Sequence, residues 1–222
     1  MSRVREVAGG GRAVEVEPER LAGWFERFGA RHGGIASTDL TPRRVRVTAA
    51  DGAMAMVEVP FGELGAGSAG EHGGLVLDAL HAHLAVPRRM GLVLVRLGGY
   101  SVGVALDGVV ETSSTGARPV HGRNRKGGSS SGRFARRREG QVRVALDAAA
   151  AAVARVLLPV AGTLDAVVLG GDATALDDLR ADRRLAALLA RAEPRELDVP
   201  EPRRAVLDEA AVRARCVEVV LR

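Results

Sequence analysis

Residues 121–139 read HGRNRKGGSSSGRFARRRE, and they separate a run of predicted β-strands from a long predicted helix. Residues 117–143 contain eight arginines and one lysine against a single acid, Glu139, which gives this window a net charge of +8. The whole chain carries +5, so everything outside the window sums to −3. A protein that is basic along one loop and one helix is suited to docking a localised polyanion rather than to coating a surface nonspecifically.

The lysine of this window, Lys126, is the only lysine in the chain, and it directly precedes Gly127 and Gly128. A GGSSSG string by itself is typical of a flexible linker. Arginine on both sides of the string favours a different interpretation, a loop with its own phosphate-binding side chains.

Composition limits the possible classes of protein. A chain of 222 residues with 46% hydrophobic content can bury a substantial core, as one domain or as two small ones. Aromatic residues make up only 3%, which disfavours recognition of nucleic acid by base stacking. Cys216 is alone, which excludes an intramolecular disulfide and a Cys-rich zinc site and is typical of a reducing compartment. We find no apolar run near the roughly 20 residues needed to span a bilayer and no secretory signal, and therefore expect a cytoplasmic protein without a membrane partner.

The sequence of the first part of the chain predicts a flexible N-terminal segment, or lead-in, over residues 1–11 and a small α+β subdomain over residues 12–86. Its predicted elements are a helix over 18–32 capped by Gly33-Gly34, a hairpin of 43–49 and 53–59 about Asp51-Gly52, a loop over 61–74 and a helix over 75–84.

Past Pro87 the pattern changes, and residues 87–222 predict a second domain containing a loop over 117–132. Its predicted elements are an antiparallel meander of 90–97, 100–106 and 109–114, a helix over 131–158, a strand over 166–169, two short helices across 173–191, a short strand near 196–199 and a closing helix from about 203. The fold class is mixed α/β, of the α+β type.

The long predicted helix has an apolar stripe only in its second half: Val142, Ala145, Leu146, Ala149, Val153 and Val156. We therefore expect its first turns to stand clear of the domain, raising the glycine loop by roughly 15 Å. Arginines at a helix N-terminus cost about 0.3 to 1 kcal/mol each against the macrodipole, and bound phosphate would offset that cost.

These residues resemble the catalytic domain of the eukaryotic and archaeal class-1 peptide release factors, whose tip reads HGRGGQSALRFARLR. His121-Gly122-Arg123 matches the start of that tip, Gly127-Gly128 its glycine pair, and residues 133–136 its RFAR. This chain inserts three residues before the glycine pair, and Ser129 stands where the family has glutamine. The order of elements is also similar, and the resemblance covers residues 90–222.

Within that superfamily the chain looks most like the actinobacterial branch of the VLRF release-factor-like group. The resemblance implies an RNase H-like catalytic core with a mixed sheet and a long helix after the Gly-Gly loop. It implies a peptidyl-tRNA hydrolase that frees nascent chains from stalled or split large ribosomal subunits, with large-subunit rRNA and peptidyl-tRNA as partners. No cofactor or metal is expected, and we expect a monomer when the protein is free.

The loop can support ester hydrolysis through its backbone, because glycine lets N–H groups approach an oxyanion without an intervening Cβ. The predicted catalytic residues are Gly127, Gly128, Ser129 and Ser130, the serines positioning water. The predicted RNA-binding residues are His121, Arg123, Arg125, Lys126, Arg133, Arg136, Arg137 and Arg138. His121 is also a candidate general base, although a histidine entering a basic loop more often binds backbone or phosphate.

Other hypotheses remain open. The protein can be a noncatalytic ribosome- or RNA-binding factor that lost hydrolysis with the change to Ser129, or a nuclease, although no acidic quartet is recognisable. His81 and His83 lie two apart on a helix and do not share a face, which disfavours a metal site. Trp24, Phe25 and Phe28 are interpreted as core, and Asp172, Asp177 and Asp178 as capping or solvated first-turn acids.

Overall fold

The computed structural model describes residues 4–7, 10–65, 67–117 and 131–222, and within residues 131–139 it describes the backbone only. The chain divides into two compact units, Met1–Pro87 with Arg215–Arg222, and Arg88–Ala214. In chain order the elements are β1 Val4–Glu6, β2 Arg12–Val16, α1 Leu21–Arg31, β3 Ile35–Thr41, β4 Arg44–Ala49, β5 Met54–Glu58, β6 Gly70–Gly73, α2 Asp78–Leu84, β7 Arg89–Arg96, β8 Gly99–Leu106, β9 Val109–Ala117, α3 Ser131–Leu157, β10 Ala166–Gly171, α4 Ala173–Ala181, α5 Ala186–Leu189, α6 Arg204–Arg215 and β11 Val217–Leu221.

The first unit is an antiparallel sheet in the order β1-β2-β11-β5-β4-β3-β6, with one core cluster that joins α1, α2 and the sheet. The alternation that predicted the hairpin is real, because Val45, Val47, Ala55 and Val57 are all fully buried. The Asp51-Gly52 turn joins β4 to β5 as predicted. The Ala53 N–H and the His32 ring, whose Nδ1 lies 2.8 Å from Asp51 Oδ2, hold the pKa of the Asp51 carboxyl below its usual range.

Several strands of this unit differ from the sequence prediction. The supposed lead-in contains β1, which pairs with β2, and Arg5 on β1 donates to Glu218 at 2.7 Å. The supposed loop over residues 61–74 contains β6, which pairs with β3. Residues 215–222 were assigned from the sequence to the second domain, but β11 pairs with β2 and β5 in the first unit because Val217 and Val219 complete its core.

The second unit is built on a mixed four-stranded sheet in the order β10-β7-β8-β9, in which β10 runs parallel to β7 and the other pairs are antiparallel. One face packs on α3, α4 and α5 in a single aliphatic cluster. On the other face Leu207 of α6 reaches Gly103 of β8, where a Cβ would lie 2.9 Å from its Cδ2. The α+β class, the meander, the mixed sheet and the long helix are therefore confirmed. The predicted strand near 196–199 is only an isolated bridge of Leu197 to Gly170.

One segment corrects the expectation about apolar length. Residues Gly140–Thr163 are long and apolar enough, by length and composition, to cross a membrane, although the sequence suggested that no such run exists. The segment contains three charged residues, but its many alanines keep its mean hydropathy high. Its Ala149, Ala152, Val153 and Leu157 are buried against the sheet, so this part of the segment belongs to the core.

Candidate functional site

The predicted catalytic residues lie in the connection between β9 and α3, outside the described residues. This holds for Gly127, Gly128, Ser129, Ser130, His121, Arg123, Arg125 and Lys126. Arg133, Arg136, Arg137 and Arg138 lie on the helical backbone of α3, but their side chains are outside the described part. The structure therefore describes the two elements that flank the loop: β9, which ends at Ala117, and α3, which begins at Ser131.

The direction of α3 relative to the sheet follows from its C-terminal contacts. A Cβ at Gly91 would lie 3.2 Å from Leu157 Cδ1, so the end of the helix sits over Gly91. Gly91 pairs with Val104, and Val104 pairs with Thr112 of β9. The end of α3 therefore lies level with Thr112, and the helix runs antiparallel to β9 from there.

The length of α3 exceeds the length of sheet available to it. Thr112 to Ala117 measures about 17 Å of strand. That distance corresponds to about eleven helical residues, which reaches back from Leu157 to Leu146. Leu146 is also the first residue of α3 with a described side chain that packs on the core. With the helix axis taken as parallel to β9, the part from Ser131 to Leu146 corresponds to about 22 Å of helix beyond the end of the sheet.

The described side chains of this extension are exposed or half-buried, and one of them is an arginine. Arg143 is exposed, and Val144 keeps 56% of its surface accessible. No residue from Gly140 to Ala148 is buried, whereas Ala149, Ala150, Ala152 and Val153 are. Of the first turns that were expected to stand clear of the core, residues 131–141, burial is described only for Gly140, which is exposed, and Gln141, which is half-buried.

A β-bulge fixes which residues of β9 reach the loop. The β8–β9 ladder shifts by one residue after Ala105↔Val110, so that the next pair is Val104↔Thr112 and Glu111 is the extra residue. Arg89 Nε donates to the Glu111 carboxylate at 3.0 Å, and Arg89 Nη1 donates to Thr163 at 2.8 Å. One arginine therefore links the extra residue of the bulge to the segment that follows α3.

The shifted register places Gly116 opposite Tyr100, the only tyrosine of the chain. A Cβ at Gly116 would lie 2.6 Å from Cζ and Oη of the Tyr100 ring, so the ring covers the strand backbone directly. Tyr100 itself packs on the core of this unit. The residue before Gly116, Thr115, hydrogen-bonds to Ser101, with 2.6 Å between the two hydroxyl oxygens. Ser101 is fully buried.

Two arginines complete the contacts at the base of the loop. Arg155 of α3 donates to Ser114 Oγ at 2.8 Å, and Arg204 of α6 donates to Ser113 Oγ at 3.1 Å. The four consecutive residues Ser113–Gly116 are thus each held by a different side chain. Sequence reasoning missed these contacts, because the polar run TSST identifies an exposed strand but not its partners.

The remaining sequence candidates have structural roles. Asp172 caps α4 by accepting from Ala175 N at 3.2 Å, which confirms the capping interpretation. Asp177 lies past the first turn of α4, where it was not expected, and pairs with Arg180 at 2.9 Å on the surface. His83 Nε2 lies 2.8 Å from Pro60 O, and His81 Nε2 is buried without a hydrogen-bond partner within the described part of the chain. Phe25 and Phe28 are buried, as predicted, and Trp24 stacks on Phe28 with ring centroids 5.8 Å apart.

No group of three or more His, Cys, Asp or Glu side chains suited to a metal ion occurs among the residues that the structure describes. The nuclease hypothesis, which needs such an acidic cluster, gains no support from the described residues.

Comparison with known families gives one match. The family model described as the Actinobacteria/Chloroflexi VLRF1 release factor matches residues 88–220, which is well over half of the chain and includes β9, the loop and α3. No curated protein matches the chain.

Solved structures give more distant matches. An archaeal translation termination factor, aRF1, is 14% identical with a TM-score of 0.39, over 76% of this chain and 52% of that one. A structure described as an archaeal protein is 15% identical with a TM-score of 0.38, over 74% of this chain and 48% of that one. This chain spans about half the length of these structures.

Proposed function

The chain belongs to the VLRF1 release-factor family of Actinobacteria and Chloroflexi, and from this membership we propose that it is a peptidyl-tRNA hydrolase of ribosome rescue. It cleaves the ester that joins a nascent peptide to tRNA on stalled or split large ribosomal subunits. Its partners are peptidyl-tRNA and large-subunit rRNA, and it acts in the cytoplasm as a monomer that docks by its basic segment.

The observation that carries this proposal is the geometry of the helix after the loop. The matched region ends its third strand at Ala117 and resumes at the start of a helix that extends about 22 Å past the sheet. A loop carried at the end of such a helix can enter a narrow cleft that excludes the body of the protein. The peptidyl ester on a large subunit lies in a site of that kind.

The chemistry proposed for the loop depends on backbone donors. Hydrolysis requires a water molecule at the ester carbon and stabilisation of the oxyanion that forms. Gly127 and Gly128 can bring N–H groups to that oxyanion, and one well-aimed donor contributes roughly 2.7 to 4 kcal/mol to the transition state. Ser129 or Ser130 positions the water through its hydroxyl, at shorter reach than the glutamine of the related release factors.

The docking proposed for the arginines depends on phosphate. The window of residues 117–143 carries +8, whereas the remainder of the chain carries −3. Arginine binds phosphate through two parallel N–H donors, and its neutralisation of phosphates releases counterions. The residues assigned to this role are His121, Arg123, Arg125, Lys126, Arg133, Arg136, Arg137 and Arg138.

The second candidate is a ribosome- or RNA-binding factor without hydrolytic activity. One observation favours it: Ser129 occupies the position where the related release factors have glutamine. In that case the arginines retain docking, and the glycine pair has no catalytic role.

One experiment separates these functions. Purified protein is incubated with large subunits that carry radiolabelled peptidyl-tRNA, and free peptide, intact tRNA and rRNA are separated on gels. Release of peptide with intact tRNA supports the hydrolase, binding without release supports the noncatalytic factor, and cut RNA supports a nuclease. A reaction without large subunits measures hydrolysis of free peptidyl-tRNA.

A further inference from the structure

We infer that the side chains gripping residues Ser113–Gly116 form a positioning device for the loop tip, with Arg155 as its principal positioning residue. The inference rests on the proposed hydrolase function and names how that site is held. Arg155 does not approach the substrate in this scheme, and it acts through Ser114, to which it donates at 2.8 Å.

The first step is the alternation of contacts along β9. Successive residues of a strand face opposite sides of the sheet. Ser114 and Gly116 face α3 and are held by Arg155 and by the Tyr100 ring. Ser113 and Thr115 face α6 and are held by Arg204 and Ser101. Side chains therefore contact both faces of the strand immediately before the loop.

The second step is the position of β9 in the sheet. Among the described strands it pairs only with β8, so its outer edge has no backbone partner there. An edge strand leaves one row of its N–H and C=O groups unpaired, so it lacks one of the two neighbours that restrain a central strand. Four consecutive side-chain contacts at the end of such a strand restrain the point where the loop begins.

The third step is what Arg155 connects. It lies on the helix that follows the loop, and Ser114 lies on the strand that precedes it, so this hydrogen bond joins the two flanking elements directly, in addition to the aliphatic packing of α3 on the sheet. Beyond Leu146 the helix acts as a lever about 22 Å long. A tilt of about 3° at Leu146 moves the helix start by about 1 Å, and a misplacement of that size can cost roughly a hundredfold in rate.

The fourth step is that the hydrogen bond between Arg155 and Ser114 contributes little to the free energy of unfolding. Arg155 is exposed, and exposed polar contacts contribute little to global stability. A residue with a purely structural role would change stability and activity together. A positioning residue predicts a different result: the release step slows while folding and docking are retained.

The test uses the full chain and large subunits that carry peptidyl-tRNA. For Arg155→Ala we expect the single-turnover release rate at saturating protein to fall roughly ten- to a hundredfold. We expect the dissociation constant for the subunit to change by less than about twofold, and the melting temperature by less than about 2 °C. Ser114→Ala should give the same loss, and the double variant should be no slower than either single variant, because all three lack the same bond.

Two further variants control for charge and for conservative replacement. Arg184→Ala removes an exposed arginine that pairs with Asp182 two residues away, and it should leave the release rate unchanged. Arg155→Lys retains a donor and should restore part of the rate. Equal loss in Arg184→Ala, or an Arg155→Ala enzyme that releases peptide at the parent rate, overturns the inference.

A second measurement does not need activity. Amide hydrogen exchange of the free protein should become faster at residues 113–117 in Arg155→Ala and stay unchanged in β7. Unchanged exchange at residues 113–117 overturns the positioning device even if the parent protein is active. A parent that releases no peptide overturns the proposed function and the catalytic consequence drawn here, while faster exchange in that case still supports the grip on β9.

Discussion

Gly116 occupies a position in β9 that only a residue without a side chain can fill in the observed packing. The Tyr100 ring lies where a Cβ would project, with Cζ, Oη and Cε1 at 2.6 to 2.7 Å. Tyr100 is packed on the core, so its ring can move away only by losing those contacts. The residue that precedes the loop is thus specified by packing rather than by turn conformation.

We predict that Gly116→Ala lowers the free energy of unfolding by about 1 to 3 kcal/mol, the usual cost of overpacking. Urea unfolding followed by circular dichroism measures the change. In a Tyr100→Ala background the same substitution should cost under about 0.5 kcal/mol, because the clash is gone. Equal costs in the two backgrounds would mean that the ring does not cover Gly116.

Gly128 is predicted to matter for chemistry and not for stability. Gly128→Ala adds a Cβ beside the proposed oxyanion donor and closes dihedrals that only glycine adopts. We expect peptide release to fall by roughly a hundred- to a thousandfold, the value of one such donor, with subunit binding retained.

The matched control is Gly162→Ala, because a Cβ at Gly162 meets no atom within 4 Å and that glycine lies in the turn after α3. Gly162→Ala should release peptide at the parent rate. Normal release by Gly128→Ala would remove the glycine backbone from the mechanism.

At the scale of the elements, the two halves of α3 lie in different environments. Its C-terminal half is fixed by aliphatic packing, and the half that follows the loop lies past the edge of the sheet. The sequence predicted this division, because apolar periodicity stops before the arginines. It did not predict how β9 is registered, since a two-residue turn at Asp107-Gly108 without a bulge would place Tyr100 opposite Thr115.

The one-residue shift at Glu111 puts Tyr100 opposite Gly116 and reverses the faces of every later residue. Nothing local in the sequence VVETSST marks that bulge. Its extra residue, Glu111, accepts a hydrogen bond from Arg89, a residue 22 positions earlier in the chain. The candidate loop was therefore identifiable from the sequence, whereas the contacts that hold its base required the fold.

A pair of valine truncations tests the division of α3. Val153 is fully buried, and Val153→Ala should cost about 1 to 3 kcal/mol of unfolding free energy through lost burial and a residual cavity. Val144 is 56% exposed, and Val144→Ala should change it by less than about 0.5 kcal/mol. Both values come from urea titration. A loss of unfolding free energy for Val144→Ala as large as that for Val153→Ala would mean that the Val144 side chain is packed in a core, contrary to this division.

At the scale of the whole molecule, positive charge is distributed unequally along the chain. In the first unit most described surface arginines have a carboxylate partner: Arg5 with Glu218, Arg20 with Glu17, Arg43 with Glu63, Arg44 with Glu58, Arg46 with Asp39 and Arg215 with Glu19. The basic window around the loop has one acid among nine basic residues. Long-range attraction of a polyanion is therefore expected from that window and not from the paired surface.

The pairing of the C-terminal strand in the first unit could not be predicted from the sequence. A single alternating segment at the C-terminus, VEVVL, becomes the third strand of a seven-stranded sheet. Its partners lie about 160 and 200 residues earlier in the chain. Periodicity identifies local elements, but pairing across that separation depends on which hydrophobic face needs completion.

The charge distribution predicts which arginines control binding to the ribosome. Arg136→Glu together with Arg137→Glu should weaken binding to large subunits and flatten its salt dependence, lowering the slope of log K against log salt by roughly 2, one per lost phosphate contact. The control with the same charge change is Arg43→Glu with Arg44→Glu, which alters two arginines already paired with Glu63 and Glu58 and should leave the slope unchanged. Sedimentation of labelled protein with subunits between 50 and 200 mM salt, about the range in which such contacts are lost, measures both. Equal slopes for the two double variants would show that total charge, and not the segment after the loop, drives docking.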